Sequence, residues 1–150
     1  MRLVIQRVSE AQVSIEGNTV GKICKGLMVL MGICSEDSIE DTQWLVSKLC
    51  NLRIFSDEAG LMNLSVKDIK GDILLVSQFT LYASTKKGNR PSFIEAARPE
   101  MAVPLYEKFI ELLTGDLGKP ISTGRFGADM QVGIINDGPV TIIIDSKSRE

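Results

Sequence analysis

The chain has 150 residues, 44% of them hydrophobic and 24% charged, with 17 Lys and Arg against 19 Asp and Glu for a net charge of −2. That length and balance fit one globular domain, and the slight acidity excludes a protein that grips a nucleic-acid duplex mainly through its phosphates, which needs a basic surface. There is no histidine, which excludes Ser-His-Asp and Cys-His catalysis and most zinc and non-haem iron sites, all of which rely on imidazole.

The opening residues Met1 to Arg7 show neither the apolar core nor the small-residue cleavage site of a secretory signal, so a cytoplasmic location is expected. Residues 2–8 are a β-rich run, 11–15 alternate apolar and polar, Gly17-Asn18 signals a turn, and 19–23 continue as a short strand. Residues 27–34 are apolar without alternation, the pattern of a strand buried on both faces. The apolar stretch from Gly26 to Cys34 is the longest in the chain and falls far short of the roughly 20 residues a membrane span needs, so no membrane association is expected. The three cysteines, Cys24, Cys34 and Cys50, form no CxxC pair and suggest neither a disulfide framework nor a zinc knuckle.

Ser38 and Asp41 have capping-box spacing, and Ile39, Leu45, Leu49 and Leu52 follow at helical intervals, so a helix is expected over about 38–51. The acids at its start, Glu36-Asp37 and Glu40-Asp41, are favoured there by the helix dipole and need no metal to explain them. Residues 53–55 read as a short strand, 57–60 as a turn, and 72–81 as a strand that turns polar at its end. The loop 84–92 carries Lys86, Lys87 and Arg90, which charge alone assigns to a solvated surface. Met101, Leu105, Phe109 and Leu112 mark a second helix ending near Gly115, with Pro104 either close to its start or kinking it. Residues 121–126 and 130–136 read as strands, Gly138-Pro139 breaks the pattern, and Val140 to Ile144 is a final β-branched run. The sum is about seven strands and two helices in one domain over residues 1–150. Strands and helices do not alternate regularly, which disfavours a doubly wound sheet. The expected fold is α/β, with a layered or barrel-like mixed β-sheet core and two helices packed on one side.

Without imidazole, an enzyme of this composition must use hydroxyls, backbone dipoles or groups on the substrate itself. Two segments are candidates. Ser77-Gln78-Phe79-Thr80-Leu81 ends the apolar run Ile73 to Val76, although pattern alone reads it as a solvated strand end. Asn136-Asp137-Gly138-Pro139-Val140-Thr141 reads on pattern as a hairpin turn. Gly138 nevertheless permits backbone close to a ligand, and an X-Pro bond is where a cis peptide is affordable.

Together these two segments resemble the D-aminoacyl-tRNA deacylase family. The likeness runs along the whole chain, through Ile5 to Val8, Arg53 to Asp57, Met62-Asn63-Leu64, Arg90 to Phe93 and Gly124 to Met130, in order. The resemblance implies a hydrolase without cofactor or metal that cleaves the ester between a D-amino acid, and possibly glycine, and the terminal adenosine of tRNA, a chiral proofreading step in translation. It implies a homodimer in which Gly138-Pro139 of one subunit acts in trans, its carbonyls holding the substrate amino group so that an L side chain is rejected. Thr80 matches the catalytic threonine position, with Ser77, Gln78 and Phe79 beside it, and Phe126 and Met130 line the adenosine pocket. Arg7 braces the Gly-Pro segment, and Lys86, Lys87 and Arg90 become candidates for tRNA contacts. Thr80 could attack the ester, but no base stands ready to activate it. Alternatively, a main-chain oxyanion hole near Gln78–Thr80 polarises the carbonyl while the free ribose hydroxyl handles the proton. Two rival readings are a small-molecule esterase and a non-catalytic RNA-binding module.

Overall fold

The two apolar runs that lack alternation lie side by side at the centre of the molecule. In the computed structural model, which describes residues 1–149, β3 (Gly26–Gly32) pairs in parallel with β6 (Asp72–Ser77). The strand β1 (Arg2–Ile15) runs antiparallel to β3 through its first half and to β2 (Asn18–Ile23) through its second. Its other edge is covered along nearly its whole length by β8 (Gln131–Asp145). The sheet order is β2-β1-β3-β6-β7, with β7 (Ser122–Thr123) parallel to β6. Ser122 Oγ donates to the carbonyl of Lys22 at 3.1 Å, so the two ends of the sheet meet and nearly close it into a barrel.

This curvature explains the unbroken apolar runs. One face of β3 and β6 presents Leu27, Val29, Met31, Ile73 and Leu75 to the helices, while Met28, Leu74 and Val76 pack with Val8, Val13 and Ile23 on the other. Strands covered on both sides need no polar face.

The helices α1 (Ile39–Asn51) and α2 (Pro99–Leu117) both pack on the first of these faces. Ser38 N–H donates to Asp41 Oδ2 at 2.8 Å, completing the expected capping box. α2 starts at Pro99, where proline's missing donor costs nothing, rather than at Pro104, which lies inside the helix. It also runs past Gly115 to Gly118, whose left-handed backbone (φ 76°) closes the helix with an N–H bond to Thr114 O at 3.0 Å. No helix among the described residues is long and apolar enough to cross a membrane.

Several expected boundaries move. Residues 2–15 are one strand, because β8 pairs with both halves of it. The short strand at 53–55 shifts to β4 (Phe55–Ser56), paired with an unforeseen β5 (Met62–Leu64). The strand expected over 72–81 stops at Ser77, and Phe79–Tyr82 form a 3-10 turn. The reason is packing: the turn folds onto Gly32 so closely that a Cβ there would lie 2.9 Å from Leu81 Cβ. The strand expected over 121–126 shrinks to two residues, and Gly124 N–H gives its pairing with β6 one last bond, to Leu75 O at 3.1 Å. Finally, Gly138-Pro139 is not a hairpin turn between two strands. Asn136 faces Val8 and Thr141 faces Gln6, so residues 137–140 bulge out opposite Arg7 alone while β8 continues.

Candidate functional site

Where β6 gives way to the 3-10 turn, the chain forms a cavity of about 530 Å³. One wall is Ser77, Gln78 and Phe79, a second is Phe126 to Met130, and a third runs from Phe93 to Ala102 with Met31, Ile33 and Val76 beneath. Phe79 and Phe93 meet edge to face with ring centroids 5.1 Å apart, and Tyr106 supports Phe126 in the same way at 5.6 Å. The Tyr106 hydroxyl donates to Leu75 O at 3.2 Å, and burial pushes its pKa up to about 12, so it stays a neutral donor. The lining is mostly apolar and aromatic with a few polar groups, the usual make-up of a small-ligand site.

The turn at the cavity's rim is held from both ends. Gln78 N–H donates to Met31 O at 2.7 Å, adding one last bond between the two central strands. At the other end Arg2 Nη1 donates to Leu81 O at 2.6 Å, while the same guanidinium pairs with Asp145 at 2.8 Å and lies 4.7 Å over the Tyr82 ring. The Gln78 amide donates to Thr80 Oγ1. As first residues of a helical turn, Phe79 and Thr80 have backbone N–H groups with no partner within it.

The bulge in β8 is a second built feature. The Gly138-Pro139 peptide is cis, and Gly138 has φ 129°. Arg7 spans its base, with Nε donating to Asp137 O at 3.0 Å and Nη1 to Ile54 O at 2.6 Å. Asn136 Nδ2 reaches Thr141 Oγ1 across the neck at 3.4 Å. Gly138 and Pro139 themselves are exposed.

Of the residues singled out from sequence, Ser77, Gln78, Phe79, Phe126 and Met130 come together around the cavity. Thr80 is exposed at its rim without lining it, and Arg7, Gly138 and Pro139 do not line it either. Lys86, Lys87 and Arg90 are exposed on the 84–92 loop, closed at its base by Ser84 and Ser92, and also lie outside the lining. Sequence reasoning gave no role to Phe93, Arg98 or Asp129, which do line it. Phe93 and Asp129 both fall in segments that carry the family likeness, Arg90 to Phe93 and Gly124 to Met130. Among the described residues no group of three or more Cys, Asp or Glu is placed to hold a metal ion.

The chain matches a family model described as D-Tyr-tRNA(Tyr) deacylase over residues 4–145. A D-aminoacyl-tRNA deacylase from Flavobacterium psychrophilum is 61% identical over 150 residues, covering 100% of both chains. One from Bacteroides fragilis is 59% identical with the same coverage. Among solved structures, "c-Myc DNA Unwinding Element Binding Protein" superposes with a TM-score of 0.89 at 43% identity, covering 97% of this chain and 98% of its own. A structure described as that of a "probable eukaryotic D-amino acid tRNA deacylase" superposes with a TM-score of 0.82, covering 95% of this chain and 97% of its own. At 18% identity this last likeness concerns the fold.

Proposed function

The chain belongs to the D-aminoacyl-tRNA deacylase family and is a hydrolase of the ester in D-aminoacyl-tRNA, and on that premise we propose that it sorts substrates by configuration with a main-chain clamp at Gly138-Pro139. The bulge of one protomer enters the cavity of a second copy, and its carbonyls accept hydrogen bonds from the substrate amino group. An L side chain is then directed into backbone and rejected. Excluding it by ~10⁴ needs about 5.5 kcal/mol, within reach of a steric clash plus a lost hydrogen bond. Glycine has no side chain to reject and passes the same filter.

The ester carbonyl is polarised by the free N–H groups of Phe79 and Thr80. Water adds to the carbonyl carbon, the bond from that carbon to the ribose oxygen breaks, and the departing oxygen takes a proton. The neighbouring ribose hydroxyl relays that proton, since no histidine exists to do so. Thr80, linked to Gln78, orders the turn rather than attacking. Phe126 and Met130 flank the terminal adenosine, Ser77 and Phe79 shape its pocket, and Lys86, Lys87 and Arg90 meet tRNA phosphates. The work is done in the cytoplasm, where charged tRNA is used.

What supports the trans arrangement is the pairing of an exposed bulge, braced by Arg7, with an apolar cavity that the bulge of the same chain does not line. A second support is that β8 pairs only with β1 among the described residues and exposes Ile135 and Ile143, at 59% and 67%. A long apolar edge strand invites a second strand.

The test is to incubate D-Tyr-tRNA and L-Tyr-tRNA with the protein and follow ester loss. Rapid release from the D form alone is expected. Equal release from both refutes the chiral clamp, equal cleavage of free D-tyrosine esters favours a general esterase, and binding without release favours an RNA-binding module.

A further inference from the structure

The cavity lining holds one cation and one anion, Arg98 and Asp129. They come from different walls, and Arg98 makes no ion pair among the described residues. Exposed and unpaired among the described residues, the guanidinium is available to an anion at the cavity's edge. Its backbone is firmly placed. Arg98 O accepts the N–H groups of Met101 and Ala102 at 3.0 and 2.9 Å, and Ala97 N–H donates to Ile33 O at 2.9 Å. The side chain therefore projects from a fixed point, unlike those of the 84–92 loop.

We infer that Arg98 is the phosphate subsite of this cavity, taking the phosphodiester that joins the terminal adenosine to the preceding nucleotide. The inference rests on the deacylase reading of the site. A terminal nucleoside seated in the cavity brings one phosphodiester with it to the cavity's edge, and the planar guanidinium fork suits two of its oxygens. The Phe79–Phe93 pair on the neighbouring walls offers ring faces to a base. Asp129, on another wall, repels a phosphate, so the nucleotide has one favoured direction of entry. Such a contact lets an acidic protein hold the end of a tRNA without a basic surface.

The test compares two substrates that differ in this group, D-Tyr-tRNA and D-tyrosyl-adenosine, with wild type, Arg98→Gln and Arg98→Lys. For Arg98→Gln, the preference in kcat/KM for the tRNA over the adenosine ester is expected to fall roughly fivefold, through KM, as for one exposed charge pair. The dependence of log kcat/KM on log salt flattens by about 0.7, and Arg98→Lys restores most of both. An equal loss on both substrates, or no loss on tRNA, overturns the subsite. Should wild type cleave neither substrate, the deacylase reading itself has failed and the subsite falls with it.

Discussion

Arg2 donates through Nη1 to the carbonyl of Leu81 at 2.6 Å and thereby joins the first residue of β1 to the turn that carries Thr80. Because the same guanidinium pairs with Asp145 at the end of β8, one side chain ties the 3-10 turn at the cavity's rim to the strand that carries the Gly138-Pro139 bulge. Arg2→Ala is expected to lower kcat roughly tenfold, since small misplacements of a catalytic group are costly. The pair is partly exposed, so Tm should fall by only a few degrees. Steady-state kinetics with D-Tyr-tRNA alongside a thermal melt checks this, and a large drop in Tm with intact kcat would assign Arg2 to stability alone.

Thr80 is exposed, and its hydroxyl is engaged by the Gln78 amide rather than by any base. Thr80→Ala should therefore keep measurable activity, reduced by about 10- to 100-fold through loss of order in the turn. If the folded variant hydrolyses D-Tyr-tRNA no faster than buffer does, Thr80 is a nucleophile after all.

Gly138 sits at φ 129°, and a Cβ added there would lie 2.9 Å from Arg7 Nη2 and from Val140 Cγ2. Gly138→Ala displaces the brace and strains the backbone, because L side chains rarely adopt that conformation. Activity on D-Tyr-tRNA is expected to fall at least roughly tenfold, with the ratio of D to L rates falling as well. Unchanged selectivity would place the chiral filter elsewhere.

The free edge of β8 gives a solution test. Ile143→Glu puts a charge on an exposed apolar strand, which blocks edge association. Sedimentation should shift from dimer to monomer, and deacylation should be lost with it if the clamp acts in trans. A monomeric variant with full activity rules out the trans arrangement.

Acid stability follows from carboxylates that the fold holds ionised. Burial opposes ionisation of Asp41, but donations from Lys147, Ser146 and Ser38 outweigh it and hold its carboxyl well below the usual carboxylate range. Asp145 is lowered too, with burial again outweighed, here by the Lys147 backbone N–H and by Arg2. For groups with depressed folded values, the stabilisation is complete above about pH 4 and drains away as pH falls through the folded values. Urea melts should show stability falling below about pH 4, and Asp41→Asn should flatten that fall while lowering stability at pH 7. A pH-independent Asp41→Asn penalty would contradict the assignment.

The sequence by itself determined the family and the core, and it narrowed the chemistry. A chain without histidine is expected to work through hydroxyls, backbone dipoles or groups on the substrate, and the unbroken apolar run at 27–34 reads as a strand covered on both faces. The capping box at Ser38 and Asp41 was equally legible, because such signals act over one turn of chain. The tertiary structure decided what depends on distant segments. Whether 72–81 stays extended turned on Gly32, which lets the 3-10 turn settle against β3, and whether Gly138-Pro139 ends a strand turned on Arg7 and the continuous pairing of β1 with β8. Arg98 gained its place because α2 begins at Pro99, five residues ahead of the proline that the helical spacing made conspicuous. The contacts of Gly32 with Leu81 and of Arg7 with the bulge join residues tens of positions apart, and local periodicity carries no record of them.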